Sequence, residues 1–227
     1  MTEYFIDQEK YPYLITLHRH AACCIGLLAM LTTGTMLLTY LQHTCAMFSI
    51  ACYRIKQAIG ILQKDGFRNE QKSCEEIIRA VNIHCKAMKL SNFLISNFSG
   101  SYFCLIAAGV LCLSCNLLRL ASFTGNFGQL ILSLTNLIIH YVYLFLANYT
   151  AQEVTDHNEY LFATVYNVRW YMAPIHIQKI ILFLLQRGTK SFHLILGGVF
   201  VASLQSAASI ASASISYFTV FYSTRQE

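Results

Sequence analysis

The chain has 227 residues; 56% are hydrophobic, only 12% are charged, and the mean hydropathy is +0.47. Soluble domains carry about 25% charged residues, so this composition points to a membrane protein and excludes an intrinsically disordered one. Two prolines and eleven glycines also exclude a collagen-like or Pro-rich chain.

The charges are unevenly placed. Four windows contain no Asp, Glu, Lys or Arg: 33 residues from Ala21 to Tyr53, 29 from Leu90 to Leu118, 33 from Leu120 to Gln152 and 34 from Ser191 to Thr224. About 20 mostly apolar residues suffice for a helix to cross a bilayer. The expected fold is therefore an all-α integral membrane protein with four transmembrane helices and cytoplasmic helical extensions. Its expected segments are an external loop end (1–20), a span (21–53), a cytoplasmic helical connection (54–89) and a second span (90–118). A short external loop (119–126), a third span (127–152), a cytoplasmic connection with an amphipathic helix (153–192), a last span of pore type (193–222) and an external C-terminus (223–227) follow.

Orientation follows from the basic residues. Connection 54–89 holds Arg54, Lys56, Lys64, Arg68, Lys72, Arg79, Lys86 and Lys89, and the connection after the third span holds Arg169, Lys179, Arg187 and Lys190. Those are twelve of the sixteen Lys and Arg. Positive residues stay on the cytoplasmic side, so both chain ends are expected outside. Residues 1–20 lack a signal-peptide pattern, which leads us to expect preceding spans in a longer protein. The net charge of +5 is then a topology signal rather than a nucleic-acid patch, since the basic residues alternate with Asp65, Glu70, Glu75 and Glu76.

Along the chain, the first helix is expected to continue past the membrane through Ile55, Ala58, Ile59 and Leu62 to a turn at Asp65-Gly66. Residues Glu75 to Leu90 have helical spacing and flow into the second span; Thr124-Gly125-Asn126 makes an external turn. Residues 155–169 are polar and then aromatic. Pro174 opens an amphipathic helix over 175–187, too short to span. Gly197-Gly198 precedes the last span, which carries Ser203, Gln205, Ser206, Ser209, Ser212, Ser214 and Ser216 among alanines. Small residues suit close helix packing, and a serine face can equally line water.

Chemistry-bearing patterns are missing. There is no GxSxG, HExxH, Walker loop or dinucleotide fingerprint, and no carboxylate pair lies within a span. Cys112 and Cys115 form a CxxC inside a span without a second pair, so the nine cysteines read as small apolar fillers and no metal or cofactor is expected. His43 and His140, both within spans, read as core histidines. The sequons at Asn97 and Asn148 also lie within spans and read as chance matches. An enzyme and an ion-coupled transporter are disfavoured; a receptor, a channel or a structural membrane protein is left.

The C-terminal third carries a more specific pattern. Phe162 through Tyr166, Arg169-Trp170-Tyr171, Gln178-Lys179 and Leu184 through Lys190 resemble the signature before the last span of insect odorant receptors. Ser203-Leu204 and Ser214 through Val220 resemble that family's last helix, Leu41-Gln42-His43-Thr44-Cys45 its fourth span, and Asn82-Ile83-His84 the start of its fifth. Glu3-Tyr4 through Tyr13 is similar to the end of its second external loop, in a form like that of ant receptors.

The resemblance implies a seven-span bundle of which this chain matches the fourth to seventh spans. It implies a tuning subunit of a ligand-gated cation channel, assembled as a heterotetramer with the odorant co-receptor in the dendritic plasma membrane of olfactory sensory neurons. A volatile small molecule would be the ligand. It further implies a subunit anchor over about 55–92 and 155–192, with Tyr166, Trp170, Lys179 and Arg187, and a pore along the last helix, with Gln205, Tyr217, Val220 and Thr224. Val220 matches the family's hydrophobic gate position, while Thr224 departs from the apolar residue of a second constriction. Odorant contacts are expected from Met30, Leu31, Gly34, Thr35 and Leu38 on the first span and from Leu134, Leu137, Ile138 and Tyr141 on the third. The alternatives are a four-span structural protein without ligand and a gustatory-type receptor, whose closing pattern the chain meets only at Ser216-Tyr217.

Overall fold

A computed structural model of the chain describes residues 12–65, 69–121, 127–190, 192–198 and 200–224. Helix α1 (Pro12–Asp65) is followed by α2 (Glu70–Ala121), α3 (Phe127–Asn167), a 3-10 turn (Trp170–Met172), α4 (Ile175–Gly188), strands β1 (Ile195–Leu196) and β2 (Phe200–Val201), and α5 (Leu204–Thr224). The chain divides into two compact units, residues 1–40 and 41–227. At 1.5 Å per residue, the 52 residues of α2 make a rod of about 80 Å. That is more than twice a hydrocarbon core of about 30 Å.

Among the described residues two helical stretches are long and apolar enough to cross a membrane, Tyr13–Gln63 and Glu70–Ala121. Helix α3 carries no charged residue over 127–152, and the 21 residues of α5 match the thickness of a hydrocarbon core.

Burial in the second unit is concentrated on one stretch of each long helix. Phe48, Ala51, Cys52, Ile55, Ala58 and Ile59 turn inward from α1, and Ile77, Ala80, His84, Ala87 and Ser91 from α2. Val154, Thr155, Asn158, Leu161 and Val165 come from α3, and Ile177, Ile181 and Leu184 from α4. These sets recur every three or four residues, the spacing that puts side chains on one helix face. Away from this junction many apolar side chains point outward: Leu105, Leu111, Ile131, Ile138, Val142 and Phe145 are exposed. A chain in water would hide them. In lipid, exposed Leu, Ile and Phe carry no penalty, because the tails are as apolar as the side chains.

Three boundaries differ from the sequence reading. Helix α1 begins at Pro12, not near residue 21; proline is at home in a first helical turn, where its missing N–H costs nothing. Helix α3 continues through 153–167, the start of the expected cytoplasmic connection. Thr155 and Asn158 look like loop residues in sequence, yet both are buried with Val154 and Leu161 on the inward face. Between α4 and α5 lies a β-hairpin, pairing Ile195 with Val201 and Leu196 with Phe200, so the last helix starts at Leu204 and not at 193. The turns expected at Asp65-Gly66 and at 124–126 fall at least partly, and residues 1–11 and 225–227 wholly, outside the described residues.

The hairpin is held by its glycines. Gly197 and Gly198 have φ of +61° and +73°, a region open to glycine and costly for other residues. The Gly197 N–H donates to Ser99 Oγ on α2, and a Cβ at Gly197 would lie 2.8 Å from the Phe103 ring. Replacing Gly197 by alanine therefore adds backbone strain of about 1–3 kcal/mol to a clash. Thermal unfolding of the purified chain is expected to shift to lower temperature, with Gly198→Ala, which meets open space, losing less. Ser203 then opens α5, accepting the Ser206 N–H at 3.2 Å as a helix N-cap does.

Candidate functional site

Two features of the second unit are built for more than packing. The first is the junction of α1 to α4. His84 is 2% exposed. Its Nε2 lies 3.2 Å from Asn158 Oδ1 on α3. Its ring lies 5.5 Å from that of Phe48 on α1 and 5.4 Å, edge-on, from that of Phe162 on α3. Phe162 in turn abuts Gly188 at the end of α4, where a Cβ would sit 2.5 Å from the ring. The rim of the junction is charged: Glu76 takes Arg54 at 2.9 Å and Arg79 at 2.8 Å. Lys56 Nζ donates to Tyr160 Oη at 3.1 Å and sits 5.1 Å above that ring. His176 on α4 lies 3.5 Å from Glu70 at the start of α2.

Gln178 explains how α4 is set at its angle. Its side-chain amide donates to the carbonyls of Tyr171 and Ala173, at 2.9 and 2.7 Å. These carbonyls would otherwise stay open in the bend before Pro174. The anchor candidates surround this bend. Tyr166 at the end of α3 is exposed, Trp170 is half-buried against Tyr171 (centroids 6.4 Å apart), and Lys179 and Arg187 lie exposed on α4. Beside them, Tyr171, Met172, Ile175 and Phe183 are each more than 60% exposed. Such a cluster of large apolar side chains at a polar rim is the composition of a protein-interaction surface.

The second feature is the outward face of α5. Ile210 and Ser214 are its buried positions, and Ser214's carbonyl accepts Ser114 Oγ from α2 at 3.2 Å. On the opposite face Gln205, Ser209, Ser212, Ser216, Thr219 and Ser223 are exposed. Their spacings of four and three make one continuous polar stripe. Val220 lies at its edge, with Tyr217 and Thr224 further round; all three are exposed. The sequence reading noted the serines but singled out only Gln205 from the stripe. The three-four recurrence of hydroxyl residues was the signal available.

The odorant-contact candidates fall into two sets. Met30, Leu31 and Thr35 are exposed on α1, Leu38 is half-buried and Gly34 is buried; all belong to the first unit. Leu134, Leu137, Ile138 and Tyr141 share one face of α3 in the second, Leu134 and Ile138 exposed and the other two half-buried. Two other expectations are corrected. His43 is exposed rather than a core residue, and Cys112 and Cys115 are exposed rather than filling gaps, because both sit on helix faces that turn away from the bundle. His140 is half-buried, its Nδ1 2.8 Å from the Asn136 carbonyl. Among the described residues no group of three His, Cys, Asp or Glu could hold a metal ion.

Sequence comparison assigns this architecture. The model of the seven-transmembrane odorant receptors matches residues 2–215. The chain belongs to the odorant receptor family. As a member of that family it is a membrane receptor chain. The fold of this odorant receptor chain is similar to that of the insect olfactory receptor OR5 from Machilis hrabei in complex with eugenol. The TM-score is 0.87 at 18% identity, over 99% of this chain and 56% of that one. A second OR5 structure matches with a TM-score of 0.74 at 18% identity, over 96% of this chain and 55% of the other. The odorant receptor chain thus spans little more than half the length of the receptor it resembles. No curated protein sequence matches it.

Proposed function

We propose that this chain forms the fourth-to-seventh-span part of a tuning odorant receptor, a subunit of a cation channel opened by small volatile molecules. The observation that carries the reading is the polar stripe of α5. Six hydrogen-bonding side chains run the length of one exposed helix face. The hydroxyls of Ser209, Ser216, Thr219 and Ser223 donate to carbonyls of their own helix, so in lipid their remaining lone pairs would go unmet; lining water, the whole face is solvated. The stripe has no ionisable residue, so ions would pass over hydroxyls and amides rather than a charged ring.

The exposed aromatic cluster around Tyr166, Trp170 and Phe183 supplies a surface for neighbouring subunits, and we assign the odorant co-receptor to it, with Lys179 and Arg187 at its polar edge. The junction then lies in the cytoplasm and the end of α5 outside, in the plasma membrane of olfactory neuron dendrites. Contacts with an apolar volatile are assigned, in the first unit, to Met30, Leu31, Gly34, Thr35 and Leu38 and, separately in the second, to Leu134, Leu137, Ile138 and Tyr141 on α3. The OR5 structure holding eugenol supports a small-molecule ligand for this fold.

The test is a current measurement. Cells expressing the receptor that carries this sequence together with the co-receptor are exposed to a panel of volatiles. An odorant-evoked cation current that needs both subunits is expected. A current indifferent to every volatile, or one unchanged when the co-receptor is omitted, would count against the proposal.

A further inference from the structure

One buried titratable group has no part in the reading above. His84 sits where α1, α2 and α3 meet, 2% exposed, and reaches α4 through Phe162 and Gly188. Its hydrogen-bond partner Asn158 Oδ1 can only accept, so Nε2 is the donor. The groups against the ring are Phe48 from α1 and Asn158 and Phe162 from α3, while the guanidinium of Arg187 on α4 acts on it through its charge.

We propose that His84 is a proton-sensitive latch: neutral, it locks α1, α3 and α4 together, and charged, it releases them. Its surroundings disfavour a second ring proton. Phe48 and Phe162 offer no counter-charge, the Asn158 oxygen is already used, and Arg187 repels a cation. Burial above all holds the pKa below the ordinary histidine value; the Asn158 bond works the other way, and Arg187 adds to the depression. The sign of the pH effect follows. An unfolded or released chain titrates near 6.5, while the locked state does not take up the proton there. The released state therefore binds more protons below that pH. The stability contributed by the latch is complete above about 6.5 and is lost as the pH falls below it. Acidification on the side of the membrane that holds the junction would loosen it.

The test uses the full chain, purified into lipid nanodiscs, with thermal unfolding followed by circular dichroism from pH 7.5 to 5.0. The midpoint of the native chain should fall with pH, and His84→Gln, which keeps an N–H for Asn158 but cannot titrate, should remove part of the fall. A difference of about 2–4 °C between the two at pH 5 corresponds to one protonation step in a chain of this size. Asn158→Asp supplies a counter-charge for the imidazolium, so the charged ring should no longer release the helices and the fall with pH should be reduced. Equal slopes for native and His84→Gln proteins would overturn the latch. Should His84→Gln fail to fold, the native chain with carbon-13-labelled histidine decides. One imidazole that stays neutral after the rest have charged supports the proposal, and eight ordinary titrations refute it. Neither readout depends on channel activity.

Discussion

Replacing Gly188 by alanine is expected to loosen α4 from the rest of the junction. A Cβ there would lie 2.5 Å from Cδ1 and Cγ of Phe162, nearly 1 Å inside van der Waals contact. The ring has little freedom to withdraw, because its other neighbour is the buried His84. One added methyl group in a packed site costs about 1–3 kcal/mol. For a chain of this length that is a drop of several degrees in unfolding temperature. Ile177, Ile181 and Leu184, all buried under α4, would lose contacts together. The double variant Gly188→Ala with Phe162→Leu makes room and should recover part of the loss. A single variant as stable as the native chain, measured in the same lipid, would show that α4 is not seated as described.

The largest functional effect is expected at Ser212→Lys. Ser212 lies mid-way along the polar stripe of α5, exposed and opposite the buried Ile210 and Ser214. Two like charges 4 Å apart repel by about 4 kcal/mol at an effective dielectric of 20. A lysine in each copy of this subunit would therefore raise the barrier to cations by an amount that cuts current by at least tenfold, since every 1.36 kcal/mol is about a factor of ten in rate. Ser212→Ala keeps the size small and adds no charge, so it should conduct nearly as the native receptor does. Surface expression, scored by labelling intact cells, separates a blocked pore from a receptor that never arrives. Normal cation current with normal surface expression of Ser212→Lys would place the conduction path elsewhere.

Much of the fold is legible in the charge pattern alone. The four charge-free windows each lie within or overlap a helix, and Pro174 opens α4 where its missing N–H is tolerated. The extension of α3 to Asn167 was hidden, because Thr155, Asp156, His157 and Asn158 in a row read as loop chemistry. Only the partner on α2 shows why Asn158 belongs inside. The hairpin was hidden for a different reason: two residues per strand are too few to display alternation, and Gly197-Gly198 was its one trace. His84 was marked in the sequence only through the resemblance of Asn82-Ile83-His84 to the start of a fifth span, with nothing local to show that it is buried. Its role comes from three helices far apart in the chain. The hydroxyl stripe, by contrast, was fully present in the spacing of Ser209, Ser212 and Ser216.

The central claim is that the hydroxyl face of α5 lines a water-filled path that opens on odorant binding. Cysteine substitution along α5, one position at a time from 205 to 223, tests it most directly, with a charged thiol reagent applied during odorant stimulation and the native receptor as background. Block at 205, 209, 212, 216 and 219, with none at 210 and 214, is the result this account predicts. Block that follows no helical period, or that falls on the face packed against α2, would contradict it.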